Sequence, residues 1–118
     1  MALTVDHLHD GRSAVLRLTG ELDALGVNRL RQAAVIDQQG LHLLVDLLGV
    51  HFVDAAGIGA IIGIIRRNRE RGGRTALVAR GSVLAALRET GMQQIVMLAE
   101  QTEAALAALL ALTPSLDD

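Results

Sequence analysis

Hydrophobic and polar positions along the chain fall into runs of two periods. Leu3-Thr4-Val5 and Ser13-Ala14-Val15-Leu16-Arg17-Leu18 are short β-type segments on either side of Asp10-Gly11. Asp-Gly between such segments is a strong hairpin signal, because both residues tolerate the backbone angles of a tight turn. Leu25, Leu30 and Ala33-Ala34 then introduce a helix reaching about Gln38, with Gly20 permitting the bend before it and Asp23 placed to cap it. Gln39-Gly40 ends that helix. Leu41-His42-Leu43-Leu44-Val45-Asp46-Leu47 is nearly continuous in apolar residues, as expected of a strand covered on both faces. Ile58, Ile61, Ile62 and Ile65 follow at i, i+3, i+4 and i+7, the stripe of a helix packed on a sheet, which predicts a helix from about Ala56 to Glu70.

The remaining segments continue the alternation. Thr75-Ala76-Leu77-Val78-Ala79 is expected as a strand, and Ser82 as the cap of a short helix through Val83, Leu84, Leu87 and about Thr90. Gly91-Met92 turns the chain into a short edge strand, Ile95-Val96-Met97-Leu98. Thr102 or Glu103 opens a last helix with Leu106, Leu109 and Leu110 on its packing face, and Pro114 ends it. A mobile tail is expected over 113–118. Strands alternating with helices after an initial hairpin imply a single α/β domain. The expected architecture is a mixed, mainly parallel sheet of four to five strands with about four helices, largely on one side.

The junction at Val50-His51-Phe52-Val53-Asp54-Ala55-Ala56-Gly57-Ile58-Gly59 organises the rest. It is a strand end, a loop and a helix start, with Asp54 placed to accept a bond from an otherwise unpaired N–H of the first helical turn. Gly57 and Gly59 lie in that turn, where bulk would block a neighbour, and Gly59 with Gly63 makes a Gly-x-x-x-Gly spacing that predicts close backbone packing. The exposed part around Ala55 and Ala56 is expected to be flat and apolar, a docking candidate.

Asp46-Leu47-Leu48-Gly49-Val50-His51-Phe52-Val53-Asp54-Ala55-Ala56-Gly57-Ile58-Gly59 resembles the signature of the STAS domain, the family of bacterial anti-sigma factor antagonists. Gly20-Glu21-Leu22-Asp23 resembles a second family segment. The resemblance implies the STAS fold over residues 1–118 and a regulatory protein that binds an anti-sigma factor, a serine kinase-like ATPase, and so controls release of a sigma factor. It implies a partner surface of Asp54, Ala55, Ala56, Gly57, Ile58 and Gly59, with Glu21 and Asp23 beside it. The family's phosphorylated Ser maps onto Ala55, which has no hydroxyl, and neither does Ala56. A phosphate there would bring about −1.5 to −2 charges beside Asp54 and obstruct docking. Without the acceptor, constitutive action, response to another signal and an engineered phosphorylation-null variant all stay open. Stand-alone domains resembling this one also serve as scaffold subunits of stress-signalling assemblies and as small partners of lipid-transport ATPases. A weak homo-oligomer is compatible with the resemblance.

Composition narrows the chemistry. The 118-residue chain is 51% hydrophobic but holds one aromatic residue, Phe52, so its core is built from Leu, Ile, Val and Ala. There is no Cys and every basic side chain is Arg, which excludes thiolate chemistry, a P-loop lysine and a Schiff-base lysine. A net charge of −2 provides no field for nucleic acid. The start lacks the basic and apolar regions of a signal peptide, and the longest uncharged stretches fall short of a spanning helix, so a cytoplasmic location without membrane insertion is expected. Asp6-His7-Leu8-His9-Asp10 suggests a metal, yet on a strand the two His and the two Asp point to opposite faces, and a solvated edge strand is the expectation. Arg66-Arg67-Asn68-Arg69-Glu70-Arg71-Gly72-Gly73-Arg74 is expected as a solvated helix end stopped by Gly72, with no aromatics to support nucleic-acid binding. Asp46 and Asp54 could pair for acid–base work, but no nucleophile, metal motif or phosphate loop accompanies them or the scattered His7, His9, His42 and His51. No enzyme and no cofactor is therefore expected.

Overall fold

The computed structural model describes residues 2–9, 13–35 and 42–111. The elements are β1 (Thr4–His9), β2 (Ser13–Leu22), α1 (Val27–Val35), β3 (His42–Val53), α2 (Ala55–Glu70), β4 (Thr75–Val78), α3 (Gly81–Glu89), a 3-10 turn at Met92–Gln94, β5 (Met97–Ala99) and α4 (Thr102–Ala111). They form one five-stranded sheet in the order β1-β2-β3-β4-β5. β1 runs antiparallel to β2, and every other pair is parallel. The Asp10-Gly11 turn and the 113–118 tail lie outside the described residues.

Strand order explains where the helices go. Successive parallel strands added in one direction by right-handed crossovers place every connecting helix on the same face. Accordingly α1, α2 and α3 share the larger core through Leu30, Ile61, Ile64 and Leu87, packed on Leu16, Leu18, Leu43 and Val45. The chain then crosses over, and α4 covers the opposite face with Ala105 and Leu109 against Leu44, Ala76 and Val78. The apolar run of β3 is thus buried on both sides, with Leu43, Val45 and Leu47 toward one core and Leu44 toward the other.

Several elements depart from the sequence expectation for definite reasons. β2 continues through Gly20 to Leu22 instead of bending away at Gly20, whose φ of +114° accompanies a register shift within the sheet. β3 carries the extra residues of these shifts: Arg17 pairs with Asp46, Thr19 with Gly49, and Glu21 with Phe52. Leu25 lies in the turn before α1 and is 89% exposed. Asp23 builds that turn: its Oδ1 accepts the N–H groups of Leu25 and Gly26, each at 3.1 Å, while α1 itself starts at Val27. The buried stripe of α2 is Ile61, Ile64 and Ile65, with Ile58 and Ile62 only partly covered. Ser82 is not the cap of α3. Arg80 occupies that position in extended backbone and its side chain makes no capping bond, while Gly81, at φ +59°, begins the helix. The expected strand start at Ile95 is lost to the 3-10 turn, which leaves Ile95 41% exposed.

α2 stops where the sequence places it. Gly72, at φ +91°, donates to the Arg69 carbonyl at 3.0 Å and Gly73 to the Asn68 carbonyl at 2.9 Å, closing the last turn. Buried Asn68 ties this end to the next strand, donating from Nδ2 to the Arg74 carbonyl and to Thr75 Oγ1, both at 3.1 Å.

Candidate functional site

Parallel pairing brings the two suspected loops together. Leu22 lies beside Val53 at the C-terminal ends of β2 and β3, so the chain leaving β2 at Glu21 and Asp23 adjoins the chain entering α2 at Asp54. Loops beyond the carboxyl ends of parallel strands are where α/β folds build their sites. The Asp54 N–H donates to the Leu22 carbonyl at 3.3 Å, fixing the junction to β2.

Asp54 caps α2. Its backbone is extended at φ −111° and ψ −174°, and its Oδ1 accepts the Gly57 N–H at 2.9 Å. One of the orphan donors of the helix is thereby satisfied, and the first helical bond follows from the Ile58 N–H to the Asp54 carbonyl at 2.9 Å. The helix begins at Ala55, one residue earlier than expected.

The first turn divides into an outer and an inner part. Ala55, Ala56 and Gly59 are exposed and Ile58 is partly so. Gly57 points inward: a side chain there would run into the Leu22 carbonyl oxygen and Leu22 Cγ. Gly57 therefore supports the outer residues from below and is not itself surface. A Cβ built on Gly59 meets nothing within 4 Å, and one on Gly63 meets only Arg67 of the same helix, so the Gly59–Gly63 spacing does not report close packing. Glu21 and Asp23 are each partly exposed beside this turn.

Phe52 is half-exposed and His51 exposed, because the register shifts in β3 turn both outward ahead of Asp54. With Val53 they line a groove of about 140 Å³ whose other wall is α3, through Ser82, Val83 and Ala86. This flank of the site was not expected; only the order β3-β4 places the start of α3 beside the end of β3. The first flank carries a cleft of about 330 Å³ bounded by Glu21, Asp23, Leu25 and Arg29, with Arg29 held by its Nη1 donating to the Leu3 carbonyl at 2.8 Å.

Asp46 does not join Asp54. It is buried on the α4 side, where Oδ2 accepts from Arg17 Nε and Thr102 Oγ1, both at 3.3 Å, and Oδ1 accepts the Leu48 N–H at 2.9 Å. His42 is buried at the start of β3, its Nδ1 accepting the Arg74 N–H at 3.1 Å. Among the described residues no group of three or more His, Asp and Glu is placed to hold a metal ion. No described helix is long and apolar enough to cross a membrane.

The STAS domain family matches residues 4–106. The chain belongs to the STAS domain family. A curated STAS relative, an anti-sigma F factor antagonist of Lysinibacillus sphaericus, is 33% identical over 69 residues, which are 56% of this chain and 59% of that protein. The chain thus matches less than two thirds of that relative's length. An anti-sigma F factor antagonist of Paenibacillus polymyxa is 29% identical over 80 residues, 65% of this chain and 68% of that one. The STAS fold is equally plain in three dimensions. The crystal structure of an anti-sigma factor antagonist from Mycobacterium paratuberculosis superposes with a TM-score of 0.83 at 23% identity, over 92% of this chain and 94% of that chain.

Proposed function

We propose that this STAS domain is a non-enzymatic regulatory module that binds an anti-sigma factor, a serine kinase-like ATPase, and thereby controls release of a sigma factor. The observation that carries this reading is the exposed, hydroxyl-free start of α2. Ala55 and Ala56 stand outside the fold on a helix end fixed by Asp54 and seated on Gly57. Half-exposed Phe52 adds apolar area beside them, and Glu21 and Asp23 add two carboxylates on the β2 side. Supporting the choice of partner, the two curated relatives are both anti-sigma F factor antagonists.

The missing hydroxyl sets the mode of action. A kinase acting at this corner finds no side-chain hydroxyl on residue 55 or 56, so no phosphate charge is added there. Binding is then governed by abundance and by other inputs rather than by a phosphate at the start of α2.

Calorimetry with a kinase-like anti-sigma factor from the source cell tests the proposal. Saturable binding is expected, with Ala55→Glu weakening it about tenfold or more, since the new charge is buried against the partner. Unchanged affinity would remove this corner from the interface. With ATP present the intact mass should stay constant, whereas Ala55→Ser should acquire phosphate; phosphate within residues 50–60 of the native chain would refute the mode of action.

A further inference from the structure

A cavity of about 180 Å³ opens at the end of the sheet opposite the α2 N-terminus. The β4–β5 ladder begins at the pair Ala76 and Met97, so Thr75 and Val96 have already parted, and the cavity lies in that gap. Ile65 of α2, Ile95, Val96 and Met97 line it with apolar side chains, Gly73 and Thr75 complete the wall, and Leu109 of α4 borders it from a fully buried position. Two arginines, Arg69 and Arg74, line it, and no carboxylate does among the described residues.

The two arginines are held differently. Arg69 is anchored, one Nη2 donating to the Ile95 carbonyl at 2.9 Å, which leaves further N–H groups of its planar fork for a ligand. Arg74 is fixed through its backbone, N–H to His42 and carbonyl to Leu43 and Asn68. Among the described residues its guanidinium makes no hydrogen bond or ion pair. Two arginines beside apolar side chains match a molecule with one anionic head and one apolar tail, and an arginine fork can pair with a planar carboxylate through two parallel N–H bonds.

We propose that the Arg69–Arg74 cavity binds a small amphiphilic carboxylate, its head between the two guanidinium groups and its alkyl chain against Ile65, Val96 and Met97. Size sets the chain length. A cavity of about 150 Å³ accommodates benzene, so this one has room for an alkyl group of about six carbons. The site lies toward the C-terminal end of α2, away from the corner at Ala55.

Methyl NMR of the full chain titrated with sodium hexanoate is the test. Saturable shifts are expected at the Ile65, Val96 and Met97 methyls, with Kd on the order of 1 mM for so small a ligand. Hexanol, which has the tail without the charge, should need about tenfold more for the same shift. Arg74→Gln should weaken hexanoate about tenfold and leave hexanol unchanged, while Arg71→Gln, outside the lining, should leave both unchanged. The proposal is overturned if these methyls fail to saturate, if hexanol matches hexanoate, or if Arg71→Gln weakens hexanoate as much as Arg74→Gln does.

Discussion

Gly57 and Gly59 sit two residues apart on one helix turn, in opposite environments. A methyl on Gly57 would drive into the Leu22 carbonyl oxygen, which belongs to strand backbone and cannot swing aside. Gly57→Ala should therefore destabilise by about 1–3 kcal/mol, the usual cost of overpacking. Gly59 has open space around it and helical backbone, so Gly59→Ala should stabilise by up to about 1 kcal/mol through lost chain entropy in the unfolded state. Urea unfolding of the two variants gives the sign directly, and equal signs would contradict the inward and outward assignment. Asp54→Ala removes the cap on the Gly57 N–H and should cost about 1 kcal/mol in the same measurement.

Elements are joined by Asp46, which accepts from Arg17 on β2, from Thr102 at the start of α4 and from the backbone of Leu48. Asp46→Ala strips three donors of their acceptor at once. Arg17 is half-exposed and recovers water, so the expected loss is about 2 kcal/mol, below the range for a fully buried pair. Arg17→Ala should cost less than about 1 kcal/mol. Thermal unfolding separates the two, with the larger loss lowering Tm by roughly 8 °C. A drop for Arg17→Ala as large as that for Asp46→Ala would show that the ion pair between β2 and β3, rather than the bond to α4, carries the contribution of Asp46. This scale also shows what the residue pattern could convey. β3 and α2 were legible because a two-sided strand and a sheet-packed helix both write their burial into apolar spacing. The start of α3 was not, since its extended Arg80 and left-handed Gly81 make a helix entry without any capping side chain. The exposure of Phe52 was hidden too, because a register shift changes which face a residue takes without changing the residues themselves.

At the scale of the molecule the sheet separates two unequal cores. Three helices and most buried Leu and Ile lie on one face, and α4 seals the other through only Ala105 and Leu109 among its own buried residues. The resemblance of the Asp46–Gly59 stretch conveyed one corner of the candidate site, but its α3 flank required the strand order, which no local pattern encodes. The two cores should respond separately to mutation. Leu109 is fully buried against Leu44, Ala76 and Val78, so Leu109→Ala should destabilise by about 2–5 kcal/mol. The α2 corner rests on Leu22 and Val53 in the other layer, in a different cluster from Leu109. Hydrogen exchange should then accelerate first in α4, as expected of the less stable unit. Affinity for the proposed anti-sigma factor partner, measured where the variant is still folded, should stay within about twofold, because distant sites act nearly additively. A fall in affinity that tracked the lost stability would mean that α4 sets the geometry of the corner through β3, and the two layers would have to be treated as one cooperative unit.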